Sequence, residues 1–561
     1  MSCPPTIYYS GMFSQKFFAE KCPPVRLNAN TNGFETQLRF KNIQMKYLSV
    51  PTVIANSNPS APLSGIIEFT TDIPSRAVIR VANTSRAWEF SSSEGWRRQH
   101  RIPLVGIHSG ERCTVTVRSE DQAGGHLENA TPLSFTGVML PSDIPPIEVT
   151  VCIPEKREPG LILFNIRPSP AAEHLGDFGL IAAVDQVGEM VWIYRTDEAI
   201  GDVRCLKNGN ILYVSDGRIT EINLLGDTIR EWYAVERWLG KTPPKGAIGV
   251  PTGMFHHAAI ELPSGNLLAC SMEIREVEEF PATEDDLEGG TETAKVVGDV
   301  LVEFAPDGRV VNEYRLLDLL DPRRVCYGSR AGYWVHRGFP DTCDWSHVNG
   351  LSYDAANDQI IASVRHQDCM ISINRENGDL EWILGDPGNW NEPWSNKLLK
   401  PSDGLQWQFH QHDCSVTTSG TIMCFDNGNH RALPFDKKMN EADCYSRVVE
   451  FSVDIENRSV EQIWSRGRKE DGTYSTYQSG ALRLPKTGNT FINYGGVCTL
   501  DGLPSGQINK GHCQARLIEV TAGSTGEVVF ELRVNDTSAK GPIALSSFRA
   551  EHYPGFVIAR N

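Results

Sequence analysis

The chain has 561 residues, of which 40% are hydrophobic and 22% charged, and it is long enough to bury a large core. Its net charge of −17 argues against nucleic acid or an anionic membrane as the main partner, but is compatible with a local basic pocket for an anion. No apolar run is long enough for a transmembrane helix, so no membrane partner is expected.

The cysteines and the N-terminus bear on the cellular compartment. Fourteen cysteines occur without a CxxC pair, which favours reduced thiols over a disulfide framework. The N-terminal segment lacks a basic region followed by an apolar one, so it does not resemble a signal peptide. We therefore expect a cytoplasmic location, or a periplasmic one if the N-terminus has been processed or engineered.

Short predicted strands dominate the first part of the chain. Residues 65–72 and 77–81 flank an Ile-Pro-Ser turn, and residues 100–105 and 113–118 continue the alternation of apolar and polar side chains. Strands of this length and spacing are typical of a β-sandwich. The proline-containing stretch 140–146 is interpreted as a linker. The sequence therefore predicts an N-terminal β-sandwich domain over residues 1–145 and a second domain over residues 146–561.

A repeated unit follows the linker. Each unit has a turn of the Asn/Ser-Gly-Asn type, an apolar strand, a further strand, a glycine turn and a strand that ends in an aromatic residue. The first turns lie at 208–210, 264–266, 357–358, 419–421 and 487–489, and a partial unit covers residues 180–192. Six such units predict an all-β chain with a six-bladed β-propeller, because radial closure protects the strand edges. The first unit lacks one strand, which we expect residues 547–551 to supply.

The most informative stretch is a predicted β-hairpin over residues 344–367, with its turn at 354–358. His347 and Arg365 each lie nine positions from Ala356, so simple register would place them face to face at the open end. A guanidinium group repels a metal cation, whereas a histidine beside an arginine suits a tetrahedral oxyanion such as sulfate or phosphate. The pair therefore predicts an anion site without a metal.

Three successive units begin with histidines. His257 and His412 each precede a turn glycine by eight residues, and His347 stands at the comparable point of its unit. A lone histidine at a strand end is usually a loop residue, but equivalent positions of successive blades converge on the central channel. The turn spacing favours His257, whereas apolar alternation would place His256 on the other face, so both are candidates. Three further histidines are out of phase and are interpreted as loop residues or residues behind the site: His366, His410 and His430.

These residues resemble a known family, the bacterial arylsulfate sulfotransferases. The resemblance covers nearly the whole chain and is most specific over residues 344–431. It is carried by His-Val-Asn at 347–349, Ser-Val-Arg-His-Gln at 363–367, Glu-Trp-Ile-Leu-Gly-Asp-Pro at 381–387, Gln-His at 411–412 and Phe-Asp-Asn-Gly-Asn at 425–429. It implies a six-bladed propeller with a small N-terminal β domain, a homodimer, and transfer of a sulfuryl group between phenols without the nucleotide donor PAPS or another cofactor.

The resemblance also implies roles for individual residues. His412 resembles the histidine nucleophile that becomes transiently sulfated. His347, Arg365 and one histidine of the His256-His257 pair resemble the sulfate-binding residues, and Asn349 belongs to the same motif as a candidate substrate-binding residue. The best-known members are periplasmic and carry a signal peptide, which is not visible here, and the sequence alone does not assign the family's disulfide near the nucleophile.

The residue types suit sulfuryl transfer. By analogy with phosphoryl transfer, the transition state is loose, so the protein must align a nucleophile and stabilise equatorial oxygens. Neutral His412 can attack sulfur, Arg365 and His347 can hold the oxygens, and an acceptor phenol then reverses the steps in a ping-pong mechanism. Three alternatives remain open: a sulfate-ester hydrolase or lyase on the same scaffold, a metal-dependent enzyme that uses the three histidines, and a non-catalytic binding platform.

Overall fold

Seven strands form a first sheet in the computed structural model, which describes residues 45–92, 95–169, 177–467, 471–523, 526–534 and 544–553. They are β1 (Tyr47–Ala55), β2 (Gly65–Ala82), β3 (Ala87–Ser91), β4 (Arg97–Leu104), β5 (Arg112–Asp121), β6 (His126–Glu128) and β7 (Leu133–Thr136). The long strand β2 pairs mainly with β1 and β4 through its first half and with β3 and β5 through its second. Both halves share one buried core that includes Phe69, Ile79 and Trp88, as in a small sandwich.

The remaining strands form six further sheets. The first blade begins after β8 (Ile147–Cys152) with β9 (Leu161–Pro168), β10 (Gly179–Val184) and β11 (Met190–Thr196). The second contains β12 (Val203–Cys205), β13 (Ile211–Ser215), β14 (Arg218–Ile222), β15 (Thr228–Ala234) and β16 (Ile248–Val250). The third contains β17 (His256–Glu261), β18 (Leu267–Pro281), β19 (Thr291–Phe304), β20 (Val310–Arg315) and β21 (Thr342–Asp344), with the short helix α1 (Leu316–Leu319) after β20.

The fourth blade contains β22 (Val348–Asp354), β23 (Gln359–Val364), β24 (Cys369–Asn374) and β25 (Leu380–Gly385). The fifth contains β26 (Lys400–Pro401), β27 (His412–Val416), β28 (Ile422–Asp426), β29 (Arg447–Asp454) and β30 (Ser459–Arg466). The sixth contains β31 (Gly480–Arg483), β32 (Thr490–Leu500), β33 (Leu503–Pro504), β34 (His512–Val520) and β35 (Val528–Val534), and the described chain ends with β36 (Leu545–Ser546) and β37 (Ala550–Tyr553). Short 3-10 segments lie at Pro154–Lys156, Glu236–Trp238, Val335–Arg337, Arg365–Gln367, Trp394–Lys397 and Glu441–Asp443.

The two ends of the propeller are interlocked. Strand β37 pairs with β9 and completes the first blade, so the C-terminal segment supplies the missing strand at Ala550–Tyr553 rather than at the predicted 547–551. Strand β8 pairs with β35 and adds an outer strand to the last blade, which the sequence pattern did not predict. The first blade thus contains the C-terminal strand β37, and the last blade contains β8, which precedes the first blade in the chain. These added strands cover an edge of the first and of the last sheet.

The inner strands close into a ring. Around the channel, β37 contacts β12, the second blade contacts β17 through β13, β17 contacts β22, β22 contacts β27, β27 contacts β31, and β31 contacts β37. Apolar side chains fill the spaces between neighbouring blades; Trp232, Phe255 and Phe304, for example, share a buried cluster of the second and third blades. The chain is therefore all-β with a closed six-bladed arrangement, as predicted.

The N-terminal sheet packs against the first two blades. The Asn56 side chain donates to the Leu225 carbonyl at 2.9 Å, and His108 Nε2 lies 2.7 Å from the Asp185 carboxylate. The predicted division at residues 145 and 146 falls between β7 and β8, and residues 1–44 of the predicted first domain lie outside the described residues. Among the described residues all cysteines are free thiols, and no helix is long and apolar enough to cross a membrane.

Candidate active site

The structure brings four of the predicted residues together at one end of the channel. The rings of His257 and His347 lie 4.6 Å apart, and the Arg365 N–H donates to the His347 carbonyl at 3.3 Å across the open end of the hairpin. Phe548, from the segment that enters the first blade, lies between His257 at 5.8 Å and His412 at 6.3 Å. We call His257, His347, Arg365 and His412 the histidine cluster.

A shared irregularity of the inner strands aims these side chains. Strands β17, β22 and β27 each have a register shift close to their histidines. His257 and His347 have φ of 49° and 54°, a left-handed conformation that costs a non-glycine residue roughly 1–3 kcal/mol. Bulges of this kind redirect a side chain away from the regular alternation of a strand. The backbone therefore stores strain where the histidines turn towards the channel.

The two adjacent histidines have different positions. His256 Nε2 donates to the Ser271 carbonyl at 3.0 Å, so its Nδ1 accepts the Nδ1–H of His257 at 2.8 Å. This leaves the lone pair of His257 on Nε2, in a ring that packs against the ring of His347. Burial, followed by the nearby His347, holds the pKa of His257 well below its usual 6.5. His257 is thus the member of the pair that faces the cluster, and His256 orients it.

Asp344 orients His347. Its Oδ2 accepts the Nδ1–H of His347 at 2.6 Å, and its Oδ1 accepts the indole N–H of Trp334 at 2.8 Å. Burial raises the pKa of Asp344, whereas burial and the Arg365 charge hold the pKa of His347 well below 6.5. Asp344 lies three residues before His347 in the hairpin stretch 344–367, but no sequence pattern predicted a role for it.

Asp344 also belongs to the residues that could hold a metal. Side-chain ligand atoms of Asp344, His347 and His366 lie within 4.8 Å of one another. However, Arg365 Nη1 donates to His366 Nε2 at 2.6 Å, which occupies that nitrogen and places a positive charge beside the three groups. A cation so close opposes the binding of a metal ion. The donor set therefore fits an anion better than a metal.

His412 is held as a neutral imidazole. Its Nδ1–H donates to Asn427 Oδ1 at 2.8 Å, and the Asn427 amide is fixed because its Nδ2 donates to the Ser475 carbonyl at 2.7 Å. The Nε2 lone pair accepts the backbone N–H of Gln478 at 3.1 Å. Burial, followed by the Arg365 charge, holds the pKa of His412 well below 6.5. Asn427 belongs to the motif at 425–429. The orientation of its amide, which fixes the tautomer of His412, depends on the contact with Ser475.

Arg365 is a cation without a carboxylate partner. Apart from His366, its guanidinium donates to the Thr476 carbonyl at 3.5 Å, and its buried Nε has no hydrogen-bond partner. No carboxylate lies within ion-pair distance of it in the described part of the chain, and burial lowers its pKa. Because a buried charge needs a counter-charge or strong hydrogen bonds, this geometry favours an anionic ligand.

The other predicted residues lie around the cluster. The Asn349 side chain donates to the Gln411 carbonyl at 2.9 Å, so it links the fourth blade to the residue before His412. Among the described residues its buried Oδ1 has no hydrogen-bond partner, and its role in substrate binding stays a prediction. The rings of His366, His410 and His430 continue from His347 at successive distances of 4.5, 6.2 and 5.6 Å, behind the cluster as expected.

A cavity of about 680 Å³ opens beside His257. It is lined by side chains of the first three blades, including Phe255 and Tyr333. The Tyr333 ring lies 5.4 Å from His257 and 4.7 Å from His347, so it borders both the cavity and the histidine cluster. The sequence pattern did not single out Tyr333, which lies between repeated strands, or Phe548, which lies in the predicted C-terminal strand 547–551 but was given no role in the site.

Comparisons with known proteins agree with the resemblance of the sequence motifs to the arylsulfate sulfotransferases. The profile of the arylsulfotransferase (ASST) family matches residues 152–542. Arylsulfate sulfotransferase AssT of Escherichia coli O6:H1 is 28% identical over 286 residues, which are 43% of this chain and 45% of the relative. The same-named protein of Lelliottia amnigena is 28% identical over 263 residues, 38% of this chain and 42% of the relative. The chain thus spans less than half the length of these curated relatives.

Similarity to solved structures is weak. Hydrazine synthase of Kuenenia stuttgartiensis is 10% identical with a TM-score of 0.29, and the match covers 57% of this chain and 61% of that one. A similarity of this size bears on no functional question. The family profile, in contrast, covers more than half of the chain and contains the whole histidine cluster. The chain therefore belongs to the arylsulfotransferase family.

Proposed function

We propose that the protein is a PAPS-independent aryl-sulfate sulfotransferase, which moves a sulfuryl group from an aryl sulfate to a phenolic acceptor. The observation that carries the proposal is the neutral His412, with an unprotonated Nε2, at one end of a channel that also holds Arg365 without a carboxylate partner. A nucleophile and an unsatisfied cation are the two requirements of sulfuryl transfer. Family membership supports the same activity.

In the first half-reaction, His412 Nε2 attacks the sulfur of the donor. An N–S bond forms and the S–O bond to the aryl group breaks, so the phenolate leaves with the electron pair of that bond. The Nδ1–H of the sulfated ring keeps its hydrogen bond to Asn427 Oδ1, which stabilises the positive charge that the ring acquires. The Gln478 N–H, released from Nε2, is free to donate to a sulfuryl oxygen.

Three neighbouring groups assist the two half-reactions. Arg365 donates N–H bonds to the sulfuryl oxygens, and His347 binds a further oxygen once the anionic ester has raised its affinity for a proton. The released phenolate takes its proton from solvent. In the second half-reaction the unoccupied Nε2 lone pair of His257 takes the proton of the acceptor phenol, whose oxygen attacks sulfur. The N–S bond to His412 breaks, which regenerates neutral His412 in a ping-pong cycle, and His257 returns its proton to solvent.

A quench experiment with donor alone tests the proposal. Protein mixed with excess 4-nitrophenyl sulfate and no phenol should release one equivalent of nitrophenol in a burst and then stop. Mass spectrometry of the acid-sensitive adduct should find one sulfuryl group on the peptide that contains His412. A label on the peptide that contains His347 would move the nucleophile to that residue.

The same experiment separates the alternatives. Continuous release of inorganic sulfate without a phenol would support a hydrolase, and an unsaturated product would support a lyase. If the purified protein is inactive and added metal ions restore its activity, the metal-dependent alternative is supported. A cytoplasmic location and a homodimeric assembly are further proposals, which cell fractionation and sedimentation analysis test.

A further inference from the structure

We propose that Arg167 and Arg337 form a second anion-binding subsite, which selects aryl sulfates and phenols that carry an additional acidic substituent. The inference rests on the proposed function, since it assigns a place to the aromatic part of the substrate. It goes further, because it names a substrate class and the two side chains that recognise it.

The cavity beside His257 is in the right place for the aromatic group. His257 and Tyr333 border both this cavity and the histidine cluster, so a sulfate ester bound at Arg365 can extend its aryl group into the cavity. Tyr333 supplies an aromatic wall against which a phenyl ring packs. The volume of about 680 Å³ exceeds what an unsubstituted phenol needs.

Some arginines that line this cavity form ion pairs with carboxylates of the protein, and others do not. Arg218 forms ion pairs with Glu198 and Glu231, and Arg237 forms one with Asp216 at 3.2 Å. These arginines are neutralised by the protein itself. Arg167 and Arg337, which line the same cavity, form no ion pair with a carboxylate in the described residues. The two arginines without partners belong to the first and third blades, on opposite sides of the second.

Arg167 has an unsatisfied donor. It lies near the end of β9, where it pairs through its backbone with Ser546, and its buried Nε has no hydrogen-bond partner. Burial lowers its pKa, although an arginine remains charged at any physiological pH. Asp177 acts on it electrostatically but is exposed and forms no ion pair with it. Buried donors are almost always satisfied in folded proteins, so this one indicates an acceptor that the described part of the chain does not supply.

Arg337 is held in position but not neutralised. Its guanidinium carbon lies 3.6 Å from the centre of the Tyr333 ring, and its Nη1 donates to the Tyr333 carbonyl at 3.2 Å. Stacking fixes the plane of the guanidinium and leaves its other N–H groups available. Because Tyr333 also contacts His347, a single aromatic ring separates this cation from the histidine cluster. An acidic group on the far side of a bound phenyl ring would meet Arg337.

A carboxylate, a phosphate or a second sulfate satisfies these requirements equally, because each accepts several N–H bonds from planar guanidinium groups. The experiment uses 4-nitrophenyl sulfate as donor and compares kcat/KM for three acceptors: phenol, anionic 4-hydroxyphenylacetate and cationic tyramine. We expect 4-hydroxyphenylacetate to be preferred over tyramine by about 10-fold or more, the effect of one charge-assisted hydrogen bond. Both Arg337→Gln and Arg167→Met should reduce this ratio to about one-tenth of its wild-type value or less.

Two variants control for nonspecific effects. Arg237→Met removes an arginine from the same cavity that is already paired, so it should change the acceptor ratio less than either test variant. Arg337→Lys keeps the charge and should retain part of the preference, which separates charge from packing on Tyr333. If Arg167→Met fails to fold, the variants Arg337→Gln and Arg337→Lys still test whether the subsite binds the acidic substituent. Equal kcat/KM for the three acceptors, or an equal change in the Arg237 variant, would overturn the proposal.

Measurements of acceptor binding test the anion-binding subsite separately from the proposed sulfotransferase activity. Calorimetry with the His412→Ala variant measures acceptor binding without turnover. Tighter binding of 4-hydroxyphenylacetate than of phenol, lost in Arg337→Gln, would support the subsite even if no acceptor is ever sulfated. Transfer to phenol without any preference for the anionic acceptor would support the function and reject the subsite.

Discussion

Two groups of ionisable residues lie in the channel, and they differ in how their charges are balanced. In the histidine cluster, the imidazoles are neutral and Arg365 has no carboxylate partner. In the second group, which we call the channel plug, both arginines form ion pairs with carboxylates of the protein. It consists of Arg549 with Asp202 at 2.8 Å and with Asp413, and of Arg204 with Asp202 at 3.0 Å and Glu551 at 2.7 Å.

The difference separates a structural group from a binding site. The channel plug joins the C-terminal segment to the second and fifth blades through ion pairs, so the protein itself neutralises its arginines. The histidine cluster shows the opposite: among the described residues Arg365 has no carboxylate partner, and the imidazoles around it are neutral. Paired buried charges are costly to break, whereas an unpaired cation binds an anion. The following predictions test this contrast.

The largest effect is expected for His412→Ala. Loss of a nucleophile should lower kcat by about 10⁴-fold or more and abolish sulfation of the protein. The residue faces the channel, so unfolding should stay cooperative, as circular dichroism would show. His430→Ala, a partly exposed histidine outside the cluster, serves as the control. Wild-type turnover in His412→Ala would remove this residue from the role of nucleophile.

Arg549→Met should destabilise the fold by about 3–5 kcal/mol, because Asp202 and Asp413 lose their counter-charge in a buried environment. Chemical denaturation measures this change. The matched control is Arg101→Met, whose exposed pair with Asp227 should contribute less than about 1 kcal/mol. Equal losses in the two variants would contradict the structural assignment of the channel plug.

Arg365→Lys should weaken donor binding although it keeps the positive charge. A lysine cannot offer the planar fork of N–H donors that a sulfate group engages, so KM for the aryl sulfate should rise by about 10- to 100-fold. Steady-state kinetics at saturating phenol measure this change. Arg323→Lys, an exposed arginine paired with Glu279, should leave KM as it is in the wild type. An unchanged KM in Arg365→Lys would argue against sulfate binding at this residue.

The smallest effect concerns stability and pH. Burial holds the pKa values of His257, His347, His366 and His412 well below 6.5. The unfolded chain binds protons at these positions below about pH 6.5, whereas the folded protein does not, so stability falls as pH falls. Each histidine contributes about 1.4 kcal/mol per pH unit in that range.

Urea unfolding at pH 7.5, 6.5 and 5.5 measures this slope. His347→Gln should remove the share of one histidine, and stability above pH 6.5 should not depend on these groups. A slope that is the same in wild type and His347→Gln would show that His347 is already protonated in the folded protein.

The sequence alone predicted the architecture and most of the candidate site. Turn glycines and period-two alternation are local signals, and their repetition indicated six blades and the inner strand of each. The same phase placed His347, Arg365 and His412 at one end of the channel. It also predicted that the C-terminal segment completes the first blade, with an offset of a few residues.

Tertiary structure alone decided which groups act on these residues. The bulge and left-handed backbone at His257 chose between the two adjacent histidines, and neither is visible in a periodic pattern. Asp344 and Asn427 are near His347 and His412 in the chain, but the side-chain geometry that makes them tautomer-fixing partners is set by the folded backbone. Phe548 joins the cluster, and Ser475 fixes the Asn427 amide, through contacts between segments far apart in the chain. A repeat fixes where a strand lies, but the direction of a side chain and its hydrogen-bond partner depend on register shifts and on loops from other blades, which only the folded chain brings together.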